Sequence, residues 1–118
     1  MKGADIAERL LDFSAQILAL IAGLPPTAVG KHVGRQLLRA GTSGGANYEE
    51  ARCAESRADF AHKVLVAAKE LRESVYWLRL IERARLSRQA HLTALVTEGS
   101  ELLAILKASA RTARERAA

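Results

Sequence analysis

Gly41-Thr42-Ser43-Gly44-Gly45, in the middle of the stretch Thr27–Cys53, is the segment whose reading decides the fold. By propensity alone it is a loop, since each glycine inside a helix costs about 1 kcal/mol relative to alanine. The spacing argues otherwise. Gly30, Gly34, Gly41 and Gly45 follow one another at four, seven and four residues, which places them on one face of a helix. Glycines aligned in this way let a neighbouring helix approach closely. The segment therefore reads as one continuous helix over 27–53, the least stable of the chain, with Ser43–Gly45 as the place where it would break.

Upstream, Gly23-Leu24-Pro25-Pro26 ends a first helix over 4–22, with Gly23 suited to a left-handed C-terminal position. Its apolar residues Ile6, Leu10, Phe13, Ile17, Leu20 and Leu24 recur at alternating steps of four and three. Thr27 is placed to cap the second helix. Downstream, Ser56-Arg57-Ala58-Asp59 resembles a capping box with Asp in place of Glu, opening a third helix over 57–85. Phe60, Val64, Ala67, Leu71, Ser74, Leu78 and Ile81 carry the heptad rhythm along it. Ser87 caps a fourth helix over 88–114, where Leu92, Leu95, Gly99, Leu102 and Leu106 repeat the pattern. Arg111, Arg114 and Arg116 suit the negative end of its dipole, and the tail beyond Arg114 is expected to fray. Four amphipathic helices with short connections predict an all-α, up-down-up-down antiparallel four-helix bundle, a single domain over 1–118. If the second and third helices pair about a turn near residue 56, facing numbers sum to roughly 112. Arg39 then faces Glu73, and Glu50 faces Lys63.

Composition agrees with one helical core. The chain has 118 residues, 49% apolar, 26% charged and only 4% aromatic, which favours helix over strand. A single cysteine, Cys53, excludes an internal disulfide framework and a multi-cysteine zinc site, and fits a reducing, cytoplasmic setting. The apolar run Ile17–Leu24 is far short of the ~20 residues a membrane helix needs. Net charge is +5, and the weight lies late: residues 56–118 hold twelve Lys and Arg against seven Asp and Glu. Such a balance favours anionic partners, nucleic acid foremost.

Catalytic and metal patterns are missing from the sequence. A di-iron bundle needs repeated Glu-x-x-His, whereas this chain offers only Asp59-x-x-His62, and His32 and His91 have no carboxylate three residues before them. Cys53 has no histidine nearby in sequence, no P-loop or Gly-x-Ser-x-Gly occurs, and Glu49 and Glu50 point about 100° apart on a helix. The reading is a non-enzymatic protein with no cofactor and no metal.

The third helix is more informative. Lys69, Arg72, Tyr76, Arg79 and Arg83, at steps of three, four, three and four, form a stripe well away from its apolar face. Aligned cations with one interleaved aromatic suit a phosphate backbone and a stacked base. The plain alternative is a solvated face partly neutralised by Glu70, Glu73 and Glu82 through local pairs. Lys107, Arg111 and Arg114 of the fourth helix would strengthen the first reading if they join the same surface. Between the two faces lie Val66, Trp77 and Leu80, for which four helices leave no covering layer. They predict self-association.

Gln36-Leu37-Leu38-Arg39-Ala40-Gly41-Thr42-Ser43 followed by Gly45-Ala46-Asn47-Tyr48-Glu49-Glu50-Ala51 resembles the signature of the 23S rRNA intervening-sequence proteins. The likeness continues through Ala54-Glu55-Ser56, Ala58-Asp59-Phe60, His62-Lys63, Ala67, Lys69-Glu70, Glu73 and Tyr76-Trp77-Leu78, and spans about 12–106. Gly44 departs from it, standing where the family usually carries a bulkier residue such as Ile or Val. The resemblance implies a continuous second helix, a four-helix bundle and, in several relatives, a five-fold ring. It also implies kinship with the accessory variability protein of diversity-generating retroelements, which binds nucleic acid and a reverse transcriptase. It supplies no catalytic residue.

The expectation is a homo-oligomer, a pentamer by resemblance, that binds RNA or DNA without sequence preference. The alternative is a protein-binding scaffold or accessory factor, for example a partner of a reverse transcriptase, whose basic surface is incidental.

Overall fold

Four helices account for nearly the whole chain in the computed structural model, which describes residues 3–117: α1 Gly3–Ala22, α2 Ala28–Arg52, α3 Arg57–Arg83 and α4 Leu92–Ala117. Each packs on the next in sequence, and α1 closes the ring against α4, so α1 lies diagonal to α3. The result is an elongated four-helix bundle measuring 49 × 22 × 20 Å. Its core runs its full length, with Leu10, Phe13, Ile17 and Leu20 from α1 and Leu37 and Tyr48 from α2. Val64, Leu71, Leu78 and Ile81 of α3 meet Leu95, Leu102 and Leu106 of α4 across it. Burial drives these contacts at about 25 cal/mol per Å² of apolar surface removed from water. Ser74, fully buried among them, donates its hydroxyl to the Glu70 carbonyl at 2.9 Å and so leaves no bare polar group.

Helix α2 is unbroken through Ser43–Gly45, and the reason is its neighbour. A Cβ on Gly41 would lie 2.8 Å from Ile17 Cδ1, and one on Gly34 would touch Ile21 and Leu24 at 3.5 Å. The approach is close enough that Ser14 Oγ, on α1, donates to the Gly41 carbonyl at 2.7 Å. Packing thus overrides the intrinsic cost of glycine, as propensity allows. Thr27 caps the helix as expected, its hydroxyl accepting from the Gly30 amide at 3.1 Å. At α3, Ser56 Oγ accepts from the Asp59 amide at 3.0 Å, while the Asp59 carboxylate reaches one residue beyond the cap, to the Glu55 amide at 3.3 Å.

Four expectations need correction. Gly23 does not take the left-handed conformation: no described glycine has positive φ, and α1 ends in tight three-residue bonds from Gly23 to Leu20 and from Leu24 to Ile21, both 3.1 Å. The third helix stops at Arg83, not 85, and the fourth begins at Leu92, not 88. Arg85 sits at φ 56 and the Leu86 amide bonds the Ile81 carbonyl at 3.0 Å, which is a Schellman stop with Arg in the usual glycine position. Ser87 then accepts from the Gln89 amide at 3.2 Å, closing a short turn and not a helix. The tail beyond Arg114 stays helical to Ala117, because Arg57 Nη1 satisfies the Arg116 carbonyl at 3.3 Å. Finally, the α2–α3 register holds at Arg39, which meets both Glu73 and Glu70, but Lys63 pairs with Asp59 of its own helix at 3.1 Å and not with Glu50.

Candidate nucleic-acid interface

The basic stripe starts from helical spacing: side chains three and four residues apart stand on one face. On α3, Lys69, Arg72, Tyr76, Arg79 and Arg83 are all exposed, and Tyr76 shows 59% of its surface. Tyr76, Arg79 and Arg83 surround a shallow groove of about 230 Å³ with Leu80 at its edge. Farther along, Lys69 and Arg72 share a second groove of about 340 Å³ with Lys107 of α4, over a floor of Leu65 and Leu103. The structure therefore brings Lys107 to the α3 stripe. Arg111 and Arg114, exposed on the same face of α4 as Lys107, continue the row toward the start of α3. At 1.5 Å per residue the whole row is about 30 Å long, enough for about nine phosphates of one strand at 3.4 Å each.

None of Lys69, Arg72, Arg79, Arg83, Lys107, Arg111 and Arg114 makes an ion pair among the described residues. The acids that could have neutralised the α3 stripe are turned elsewhere. Glu70 and Glu73 bind Arg39 of α2, Glu70 at 3.1 Å, and Glu73 also accepts from Trp77 Nε1 at 3.1 Å. Glu82 accepts the Thr93 hydroxyl of α4 at 2.7 Å. The Arg39 guanidinium, helped by the Trp77 indole, holds the Glu73 carboxyl below the usual carboxylate range.

The apolar residues singled out on α3 lie differently from the expectation. Val66, Trp77 and Leu80 are half-buried, and Trp77 and Leu80 pack on the core. The Trp77 ring stands edge-on to His32 of α2, 6.0 Å between centroids, and to Tyr76 at 5.1 Å. Helix α2 thus stands beside Trp77, while Leu80 keeps part of its surface on the groove lined by Tyr76, Arg79 and Arg83. Bare apolar surface lies instead on α1 and α2, at Leu11 (62% exposed), Leu18 (48%) and Leu38. Leu11 and Leu18 are seven apart, a second heptad stripe beside the core-facing one. A wheel drawn for α1 as well as for α3 would have shown it.

Other chemistry gains nothing from the fold. Among the described residues no three His, Cys, Asp or Glu side chains converge, Cys53 and His62 are exposed, and no helix is long and apolar enough to cross a membrane.

Comparison with known proteins adds to this geometry. Residues 2–108 match the family model described as 23S rRNA-intervening sequence protein. A solved protein of unknown function from Bacteroides thetaiotaomicron VPI-5482, assigned to the S23 ribosomal protein family, is similar at 31% identity with a TM-score of 0.80. The match covers 94% of this chain and 99% of that one. No curated protein sequence matches. Over nearly its whole length the chain belongs to the 23S rRNA-intervening sequence protein family.

Proposed function

We propose that this protein is a non-enzymatic, self-associating helical bundle that binds RNA or DNA by its phosphates, largely regardless of sequence. One observation carries the reading: seven cations line one side of the bundle unpaired, while the acids nearest to the α3 stripe are bound to Arg39 and Thr93. The row holds Lys, Arg and one exposed Tyr, and none of the Asn or Gln pairs that read base edges. Tyr76 stacks on a base and the cations hold the backbone. Self-association belongs to the same reading, with the five-fold ring that the sequence resemblance implies, and the exposed Cys53 suits the reducing cytoplasm.

The test is Arg72, Arg79 and Arg83 replaced together by Ala, titrated with labelled single-stranded RNA and duplex DNA at about 50 and 200 mM salt. Losing three phosphate contacts should flatten the slope of log affinity against log salt by about 2–3. Binding should weaken for all sequences alike while the helical circular dichroism is kept. Unchanged affinity and slope would overturn the reading. The scaffold alternative, a partner of another protein such as a reverse transcriptase, then takes its place. The bare apolar face of α1 and α2 already favours some protein contact.

A further inference from the structure

The α1–α2 side of the bundle carries two apolar grooves end to end, with rims of opposite charge. The first, about 500 Å³, runs along Leu11, Ala15 and Leu18 of α1 and is flanked by Glu8 and Glu49. The second, about 350 Å³, lies over Ile21, Leu24 and Leu38 and is flanked by Lys31 and Arg35. Glu8, Lys31 and Arg35 make no ion pair among the described residues, and Glu49 has only a loose contact with Arg52 at 3.3 Å. Leu11, Leu18 and Leu38 stand exposed along these grooves, an apolar strip of the kind that protein contacts cover.

We infer that this face is covered by the same face of a second copy, set antiparallel about a two-fold axis through Ala15. The charge pattern selects that arrangement. A parallel pairing of like faces would put acid on acid, whereas an antiparallel one puts Glu8 and Glu49 of each copy against Arg35 and Lys31 of the other. The position of the axis follows from the α1–α2 register. Ile17 faces Gly41, Leu10 faces Gly45 and Ile21 faces Gly34, so facing numbers sum to about 56. Glu8 and Glu49 therefore share one level, Arg35 lies near the level of residue 21, and Lys31 near that of residue 25. The midpoint falls at about residue 15. Leu11 and Leu18 then stand almost symmetrically about it, so Leu11 of each copy meets Leu18 of the other. Such a contact is isologous, as a two-fold interface must be. At 1.5 Å per residue the 25 residues of α2 make this face about 37 Å long, and with a width of about 20 Å it is of the order of the ~800 Å² per partner of a stable interface. Helices α3 and α4 stay outside, so the two basic rows face away from each other.

This inference rests on the self-association in the reading above and is independent of nucleic-acid binding. Its test is light scattering of the full chain at micromolar concentration, parent against Leu11→Gln with Leu18→Gln. Both leucines are largely exposed within one bundle, so helical circular dichroism should be unchanged. The double variant should halve the particle mass, from two copies to one or, where a five-fold ring also forms, from ten to five. A second variant, Ala15→Cys with Cys53→Ser, should cross-link to itself within one pair of copies on mild oxidation. A parent particle of 12.8 kDa overturns both the self-association and this interface. An oligomeric parent whose mass the leucine variant leaves unchanged overturns the interface alone. A halved mass without the Ala15→Cys cross-link overturns the two-fold arrangement.

Discussion

Helix α2 meets its two neighbours by opposite means. Toward α1 it presents backbone: Gly34, Gly41 and Gly45 lie against Ile21, Ile17 and Leu10, and a serine hydroxyl reaches a main-chain carbonyl across the seam. Toward α3 it presents side chains: Arg39 grips Glu70 and Glu73, His32 meets Trp77, and a single glycine, Gly44, faces Leu71. At Gly41 the α1 seam has no slack, since a Cβ there would meet Ile17 at 2.8 Å, while Gly34 and Gly45 have room for a methyl at ordinary contact. A seam made by long side chains at a wet rim can adjust. The difference also organises the outer surface. Arg39 on the adjustable side draws two carboxylates off α3, and its reach is part of what leaves the basic row bare.

The largest effect expected of a glycine-to-alanine change breaks the tight side. A Cβ on Gly30 would overlap the Pro25 carbonyl oxygen, which is backbone in the α1–α2 turn and cannot rotate away. Gly30→Ala should destabilise the bundle by about 2–3 kcal/mol despite the gain in helix propensity, read from urea unfolding. A change under about 0.5 kcal/mol would show that the turn yields freely. Gly41→Ala comes next, at about 1 kcal/mol, because the atoms it meets are the movable Cδ1 and Cγ2 of Ile17. Adding Ile17→Val removes the Cδ1, so the double variant should cost less than the sum of the two single ones. Simple additivity would mean that the Cδ1 is not the obstacle, since valine keeps the Cγ2.

How much of this was legible in the sequence depended on whether the signal was local. Periodicity placed the four helices, the glycine spacing marked a face open to close approach, though not that α1 fills it, and the Thr27 and Ser56 caps sit where their hydroxyls were expected. The end of α3 was not legible, because the left-handed stop uses Arg85, a residue with no preference for that conformation. The stripe from Lys69 to Arg83 was visible on a wheel. The predicted facing of Arg39 and Glu73 already drew one acid away from it, but its freedom from Glu70 and Glu82 was not legible, since those acids find partners on other helices. The setting of Trp77 was hidden for the same reason: a wheel shows which side it is on, and only the assembled bundle shows His32 beside it.

A smaller effect is expected on the adjustable side. Arg39→Gln removes a pair whose side chains are 50% and 36% exposed at Arg39 and Glu73, so solvent screening keeps the loss small. Its pH dependence has a fixed sign. The Glu73 carboxyl is held below its ordinary range by Arg39 and then by Trp77, so the pair stabilises the fold above the ordinary Glu pKa. That contribution fades as pH falls through the lowered value. Parent and variant should therefore converge in acid and diverge toward neutrality, and a constant difference would contradict the pairing. The same variant frees Glu73 to reach Lys69, four residues back, so nucleic-acid affinity should fall although no cation of the row is altered. An unaltered affinity would mean that Arg39 plays no part in keeping the row bare.

The smallest effect sharpens the contrast most. A Cβ on Gly44 would lie 3.3 Å from Leu71 Cγ and 3.5 Å from its Cδ2, a contact that a few tenths of an ångström of side-chain movement relieves. Against that cost stands the roughly 1 kcal/mol by which alanine exceeds glycine inside a helix. Gly44→Ala should thus fall within about 0.5 kcal/mol of the parent, where Gly30→Ala falls far below it. Isoleucine, one of the bulkier residues that the family resemblance leads one to expect here, carries three further carbons into space that Leu71 fills. Gly44→Ile alone should cost about 2 kcal/mol, and Leu71→Ala alone about 2–5 kcal/mol by leaving a cavity. Combined, the inserted and deleted volumes nearly match, so the double variant should be markedly more stable than the sum of the two losses predicts. If the losses add, Gly44 and Leu71 do not share one space, and the α2–α3 seam is as rigid as the glycine seam on its other side.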